Sequence, residues 1–260
     1  MTMIEKTTNK SAKVATKNAE DILVIKNLSK SFGDNEVLKD INLNVKKGEN
    51  LVILGRSGSG KSVTIKCVIG LVKVDSGEIQ IFGTDITKLK NKELNEIRLR
   101  VGFLFQNGAL YDSMSVGQNL SFTLKHHSPD LSREEVQTLV MDSLESVGLA
   151  ESIDKMPSEL SGGMRKRIGL ARTLIINPEI ILYDEPTTGL DSITSREISE
   201  LIVSIQEKYK TTSVIITHDM PCAKITGDRI VILNEGVIHT EGTYDELEKS
   251  EDEWVRSFFT

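Results

Sequence analysis

Four short, almost wholly apolar segments constrain the fold more than any other feature of the chain. They are residues 51–54, 180–183, 214–216 and 230–233. Strands inside a parallel sheet are covered on both faces, so they carry continuous apolar runs rather than an alternating pattern. All four are far too short to span a membrane, which takes about 18 apolar residues or more. We predict an α/β domain with a mostly parallel core sheet and helices between its strands.

Other patterns predict two further parts. Apolar Ile41, Leu43 and Val45 alternate with asparagine, and residues 22–25 form another short strand, which together indicate an antiparallel β subdomain. A capping box at Ser132 and Glu135 starts a run of helical apolar spacing. We therefore expect a helical subdomain at about 90–177, inserted in a single domain of residues 21–260 that ends in a helical segment at about 243–260.

The composition limits the function classes. The 32 basic and 38 acidic side chains give a net charge of -6, so no overall basic field attracts nucleic acid. Cys67 and Cys222 are too few for a disulfide framework or a zinc site, and we expect both to be reduced and packed. No apolar membrane span or signal-peptide core is present, so any membrane connection is expected to come through a partner.

Residues 1–20 are rich in Thr, Lys, Asn, Ala and Ser and are predicted to form a flexible polar tail. The four lysines of this tail either contact anionic lipid or are simply solvated.

Residues 55–62, GRSGSGKS, fit the pattern G-x4-G-K-[ST] between a buried strand and a helical segment. Main-chain N–H groups of such a loop can surround a β-phosphate, while Lys61 reaches the β- and γ-phosphates and Ser62 binds Mg²⁺. A glycine-rich turn without a ligand is the alternative. The predicted nucleotide-binding residues are Gly55, Ser57, Gly58, Ser59, Gly60, Lys61, Ser62 and Val63.

Two carboxylates follow the apolar run at 180–183. Ligands collect at the C-terminal edge of such sheets, so Asp184 is predicted to bind Mg²⁺ together with Ser62. Glu185 is predicted to be the general base that polarises the water attacking the γ-phosphate. A pair of acidic residues that is only solvated, or that caps a helix, is the alternative.

The sequence LSGGM at residues 160–164 opens a helical run, and Ser161, Gly162 and Gly163 could form a second anion-binding helix N-terminus. Taken alone it could be an ordinary N-cap. Upstream of the carboxylate strand, and in a chain with a phosphate loop, it resembles the signature motif of the ABC ATPase family.

That resemblance covers residues 21–260 and implies a P-loop NTPase fold of the ABC ATPase type. It assigns Gln106 to the Q-loop beside the metal and the attacking water, and Phe32 to stacking on adenine. It assigns Asp191 to the D-loop and His218 to sensing the γ-phosphate. Taken alone, Phe32 would be a core residue and His218 a structural histidine.

The family also implies partners. Two subunits of such proteins bind ATP and Mg²⁺ head to tail, so Ser161 and Gly163 of one copy would contact the γ-phosphate held by Lys61 of the other. The homodimer would drive an integral membrane permease from the cytoplasmic face of the inner membrane.

Met164 stands where most members carry Gln, and a thioether cannot replace the hydrogen bonds of an amide.

The string LSGGMRKR is similar to one branch of the family, the ATPases of lipid transporters that work with mammalian-cell-entry domain proteins to maintain outer-membrane lipid asymmetry. Residues 105–111 and 255–259 support the same branch, although Asn107 and Tyr111 stand where Ser and Phe are expected. The branch implies a phospholipid or related lipid as the transported molecule and a mammalian-cell-entry protein as a further partner.

Residues 107–114 follow the Q-loop glutamine and contain Leu110, Tyr111 and Met114. Exposed apolar side chains usually mark a partner surface, so we expect a permease helix to dock here. Packing inside the helical subdomain is the alternative. The charged run Arg165-Lys166-Arg167 is expected to be an exposed helix face, and His126 and His127 are expected to be solvated.

Rival functions lack their own features. A soluble ABC protein acting on nucleic acid or ribosomes usually carries two cassettes or a long coiled coil, and this chain has neither in its sequence. A GTPase that reads guanine through an Asn-Lys-x-Asp motif would need an aspartate at position 94, where this chain has Leu94. A small-molecule kinase would not need the signature segment.

Overall fold

The computed structural model describes residues 20–259, so the predicted tail lies outside the described residues except for its last position. The strands are β1 (Asp21–Phe32), β2 (Asn35–Lys46), β3 (Asn50–Leu54), β4 (Ser76–Ile81), β5 (Thr84–Asp85), β6 (Val101–Leu104), β7 (Ile180–Asp184), β8 (Thr212–Thr217), β9 (Arg229–Asn234) and β10 (Val237–Gly242). The α helices are α1 (Lys61–Val68), α2 (Asn91–Arg98), α3 (Val116–His127), α4 (Arg133–Glu145), α5 (Gly162–Leu174), α6 (Ser192–Tyr209), α7 (Met220–Thr226), α8 (Tyr244–Glu248) and α9 (Glu253–Arg256).

Six strands form the core sheet in the order β10-β9-β3-β8-β7-β6. Neighbours from β9 to β6 run parallel, and β10 alone is antiparallel to its neighbour. The four apolar segments are β3, β7, β8 and β9, so the predicted parallel sheet is confirmed. Strand β6 lies inside the range assigned to the helical insertion, and the purely helical part of that range begins only at α3. The division of the chain into subdomains stays a prediction.

The other sheet has the order β2-β1-β4-β5 and is antiparallel throughout. Leu23 pairs with Val45 and Ile25 with Leu43, which turns the alternating apolar residues of β2 onto one face. The predicted antiparallel sheet is confirmed.

Strand β3 explains why the apolar runs are continuous. Val52 and Leu54 face an interior cluster shared with α3 to α6, whereas Leu51 and Ile53 face a second cluster under the antiparallel sheet. All four are fully or almost fully buried, and each buried side chain of this size stabilises the fold by about 1.5–3 kcal/mol. Both cysteines are buried and free.

Helix α4 begins at a defined cap. Ser132 and Glu135 exchange hydrogen bonds at the start of α4, at 2.8 and 3.2 Å, as the capping box predicts. Over residues 20–259 the structure contains no helix that is both long and apolar enough to cross a bilayer.

Candidate functional site

The phosphate loop links β3 to α1 at the C-terminal edge of the core sheet. Gly60 has φ 105° and comes just before α1, whose first turn has neither a side-chain cap nor an acidic residue. The free N–H groups at this helix start are therefore available to an anion. A Cβ at Gly55 would lie 2.4 Å from the Leu233 carbonyl oxygen, so the loop passes directly against the end of β9.

Lys61 holds a buried ammonium group at this loop, with only 6% of the residue exposed. Its Nζ donates to the main-chain oxygens of Gly55 at 2.8 Å and Arg56 at 3.1 Å, and it lies 3.8 Å from Glu185 Oε1. Burial lowers the pKa of Lys61, while the charges of Glu185 and Asp184 oppose that shift. A buried cation of this kind is suited to phosphate oxygens.

Ser62 and Asp184 meet across the sheet edge. Ser62 Oγ donates to Asp184 Oδ1 at 2.8 Å, and Asp184 is buried at the end of β7. Hydroxyl and carboxylate oxygens are the ligands that Mg²⁺ prefers, so this pair fits the predicted metal.

Glu185 is held in an uncommon conformation directly after β7. Its φ is 52°, in the left-handed region that a residue other than glycine rarely adopts, and its N–H donates to the Ile216 carbonyl at 2.9 Å. Its Oε2 accepts a hydrogen bond from Thr188 Oγ1 at 3.0 Å and lies 2.8 Å from His218 Nδ1. Strain of this type persists only where the surroundings fix it, and it is concentrated at functional sites.

The phosphate loop, Ser62 and Glu185 line one cavity of about 830 Å³, large enough for a nucleotide. Gln106, Glu185 and His218 share its wall with most of the predicted phosphate-loop residues. Other lining residues belong to no motif and were not predicted from the sequence: Val37, Thr188, Met220, Ser257 and Phe258.

Phe32 does not line this cavity. It ends β1 with 51% of its surface exposed, so it is not a core residue, and Lys30 Nζ lies 5.2 Å from its ring centroid. Its assignment to adenine therefore stays a prediction.

The signature segment begins α5, and its residues lie outside the cavity. Ser161 Oγ accepts from the Met164 N–H at 3.2 Å, so Ser161 is an N-cap, and both Ser161 and Gly162 are exposed. A Cβ at Gly163 would lie 2.6 Å from Thr194 Cγ2, which shows why the position needs glycine. Among the described residues 20–259, those that line the cavity do not include Ser161, Gly162 or Gly163.

Asp191 also lies outside the cavity and caps α6. It accepts from Thr194 Oγ1 at 2.6 Å, and the hydrogen bonds from Thr194 lower the pKa of Asp191.

One expectation about the charged run is wrong. Arg165 is exposed as predicted, but Lys166 is buried, with 5% of the residue exposed. Its Nζ donates to the main-chain oxygens of Gln106 and Glu185, the latter at 3.0 Å. The spacing of the residues indicates that Lys166 is buried. Gly163, Lys166 and Gly169 are three residues apart, so they share one face of α5, and both glycines are buried there.

The loop after Gln106 is only partly exposed. Leu110 packs against the interior cluster, so the packing alternative describes this residue, and Met114 is half-buried. Tyr111 remains exposed and lies 5.3 Å, centroid to centroid, from the exposed ring of Phe122 on α3. The Arg172 guanidinium lies 4.9 Å from the Tyr111 ring centroid. These three residues form the Tyr111–Phe122 patch.

Comparisons with known proteins identify relatives of this chain. A family model described as ABC transporter matches residues 38–188. The probable ribonucleotide transport ATP-binding protein mkl of Mycobacterium leprae is 42% identical over 234 residues, covering 90% of this chain and 67% of that protein. The chain spans 65% of the length of the matched mkl proteins from Mycobacterium bovis and Mycobacterium tuberculosis.

Two other relatives bear different transport names. The intermembrane phospholipid transport system ATP-binding protein MlaF of Haemophilus influenzae is 38% identical over 239 residues, covering 92% of this chain and 90% of that protein. The methionine import ATP-binding protein MetN of Clostridium acetobutylicum is 39% identical over 226 residues, covering 87% and 70%.

A solved structure shares the fold. The ATP-binding cassette MJ0796, in a dimeric post-hydrolysis state bound to ADP and phosphate, matches with a TM-score of 0.78 and 34% identity. The match covers 85% of this chain and 98% of that one.

Proposed function

We propose, from the premise that this chain belongs to the ABC transporter family of ATPases, that it binds ATP with Mg²⁺ and hydrolyses ATP to drive a membrane permease. One observation carries most of the proposal: Ser62, which donates a hydrogen bond to Asp184, lines one cavity together with Glu185 and the phosphate loop. That arrangement combines a phosphate site, oxygen ligands for a metal and a fixed carboxylate.

Binding would use the phosphate loop. The N–H groups that start α1 and the Lys61 ammonium would contact the phosphates. Ser62, Asp184 and Gln106 would hold Mg²⁺, which neutralises phosphate charge during transfer. Phe32 would contact adenine from the end of β1.

Hydrolysis would depend on Glu185. Its carboxylate would accept a proton from the attacking water, while Thr188 and His218 hold the carboxylate in place through Oε2. Lys61, 3.8 Å from Oε1, would stabilise the negative charge that develops on the phosphate oxygens.

A second copy would complete the site. The exposed start of α5 lies away from the cavity of its own subunit and offers unpaired N–H groups, as a partner's γ-phosphate requires. The dimeric state of the ADP-bound MJ0796 cassette supports this arrangement. We propose a symmetric homodimer with two equivalent ATP sites, in which Ser161, Gly163 and Asp191 act across the interface.

The Tyr111–Phe122 patch would bind the permease. Its rings are exposed on α3 and on the loop that leaves Gln106, so one segment joins the site to the patch. Through this contact the chain would lie on the cytoplasmic face of the inner membrane as a peripheral subunit.

The transported molecule is proposed to be a phospholipid or a related lipid. The relative MlaF is named for intermembrane phospholipid transport, and the LSGGMRKR string resembles the same branch. A lipid-binding protein with a mammalian-cell-entry domain would be a further partner. The MetN relative names methionine as the competing substrate class, and copurified permease and lipid would distinguish the two.

The test of the proposed chemistry is Glu185→Gln. Loss of a general base should slow ATP hydrolysis by about a hundredfold or more, while ATP still binds. Light scattering should show that this variant forms a stable dimer with MgATP, since the bound ATP persists. The matched control is Glu179→Gln, whose carboxylate pairs with Arg100 away from the cavity. Wild-type hydrolysis by Glu185→Gln would refute the assigned base.

The test of the patch places a charge on it. Tyr111→Glu and Phe122→Glu should each reduce the permease recovered with the tagged chain, with ATP binding and the unfolding temperature kept, because both rings are exposed. Val237→Glu is the control, since Val237 is similarly exposed on β10. Normal copurification of both patch variants would exclude this docking surface.

A further inference from the structure

Lys166 is a buried cation with no part in the chemistry proposed above. It belongs to α5, one turn after the exposed Ser161. Its ammonium group donates to the main-chain oxygens of Gln106 and Glu185, which come from two different segments of the cavity wall. One side chain thus joins the signature helix to the loop of Gln106 and to the residue proposed as the base.

Burial of this ammonium group is unfavourable unless the group makes hydrogen bonds of this kind. Desolvation lowers the pKa of Lys166, and only the nearby charges of Glu185 and Asp184 oppose that shift. A surface lysine would avoid this cost, and an apolar residue would fill the same space without it. What an apolar residue could not do is hold two carbonyl oxygens in fixed positions.

The contact with the Glu185 carbonyl oxygen constrains a residue that has an uncommon backbone conformation. Glu185 has the left-handed φ of 52°, and its N–H is held by the Ile216 carbonyl. Lys166 holds the other end of the same residue. With both ends fixed, the carboxylate is directed toward Thr188 and His218, and without the second contact the backbone could relax toward an ordinary φ.

The same helix face also fixes the Gln106 loop through its backbone. A Cβ on Gly169 would lie 2.9 Å from Gly108 Cα, and a Cβ on Gly108 would lie 3.0 Å from the Arg165 carbonyl oxygen. The Arg172 guanidinium donates to the Ala109 carbonyl. The loop therefore rests directly on α5 and must follow any displacement of this helix.

We propose that Lys166 is a positioning residue, which ties the placement of the signature helix to the placement of Glu185 and Gln106 for ATP hydrolysis. The inference rests on the proposed function, because it assigns Lys166 a role in that reaction. A shift of α5 on engagement of the second copy would then reach the carboxylate through one side chain.

Lys166→Met removes the donor and keeps much of the volume. In the 260-residue chain it should lower kcat for ATP by about tenfold or more, while the Kd for ATP stays within about twofold, because Lys166 does not line the cavity. Lys166→Gln keeps an N–H donor without the charge and should recover part of the lost kcat. Arg165→Met, an exposed neighbour on the same helix, should match the wild type.

A double-mutant cycle tests whether Lys166 acts through Glu185. In single-turnover assays, Lys166→Met should slow hydrolysis much less in the Glu185→Gln background than in the wild type, since the group it positions is already lost. Equal slowing in both backgrounds would overturn the inference, as would unchanged kcat in Lys166→Met and Lys166→Gln. These results require an active wild-type chain, and a wild type without ATPase activity would instead refute the proposed function itself.

Discussion

Gly55→Ala is the substitution whose effect the structure predicts most directly. The added Cβ would lie 2.4 Å from the Leu233 carbonyl oxygen and 2.7 Å from Ser59 Oγ, whereas real Cβ atoms essentially never come closer than 3.0 Å. The Ser59 hydroxyl can rotate away. The Leu233 carbonyl belongs to β9 and cannot move alone, so the loop and the strand must separate by 0.6 Å or more to restore 3.0 Å.

Overpacking of this kind costs about 1–3 kcal/mol. For a chain of this size each kcal/mol lowers the unfolding temperature by about 2–4 °C, so the expected loss is about 2–12 °C. The same displacement moves the N–H groups of the phosphate loop, and a loss of about 1.4 kcal/mol in their contacts would weaken ATP binding tenfold.

Differential scanning calorimetry and ATP titration measure the two effects separately. Gly48→Ala is the control, because Gly48 has φ 80° and no atom near its Cβ, at the opposite end of β3. It should lower stability through backbone strain and leave ATP affinity unchanged. If Gly55→Ala bound ATP with wild-type affinity and unfolded at the wild-type temperature, the close approach of the loop to β9 would be wrong.

Two further predictions concern single charged contacts. Lys61→Ala should abolish measurable ATP binding by calorimetry, since it removes the buried ammonium at the loop, whereas Lys66→Ala on the same helix should bind normally. The hydrogen bond from His239 lowers the pKa of Asp252, so this contact stabilises the docking of α9 above the ordinary aspartate pKa of about 3.9 and is lost as the pH falls through the lowered value. Asp252→Asn should therefore speed amide exchange in α9 at pH 7, and unchanged exchange would contradict the contact.

The sheet could be predicted from sequence because its signals are local. Continuous apolar runs and one alternating run identified the parallel and antiparallel parts, and the capping box at Ser132 located the start of α4. Strand β6 was missed because Gly102 interrupts its apolar pattern. A Cβ there would lie 2.5 Å from Thr173 Cγ2, so the glycine reflects the approach of α5, a contact between distant residues that no local pattern contains.

Local sequence patterns likewise predicted only part of the candidate site. The phosphate loop and the carboxylate pair were identified because their function depends on spacing along the chain. Val37, Met220 and Phe258 reach the cavity from separate elements and were missed, because only the folded chain brings them together. Lys166 was misplaced since its neighbours Arg165 and Arg167 suggested a solvated face, while the helical period turns it inward.

The left-handed backbone at Glu185 has a consequence for the evolution of this chain in the laboratory. A residue other than glycine in that conformation costs about 1–2 kcal/mol. A screen that selects for heat resistance alone should therefore enrich glycine at position 185. Every variant with glycine at this position would lack the carboxylate. A screen that also demands transport should never accept this substitution. Heat-resistant descendants that still work must then gain their stability from other positions.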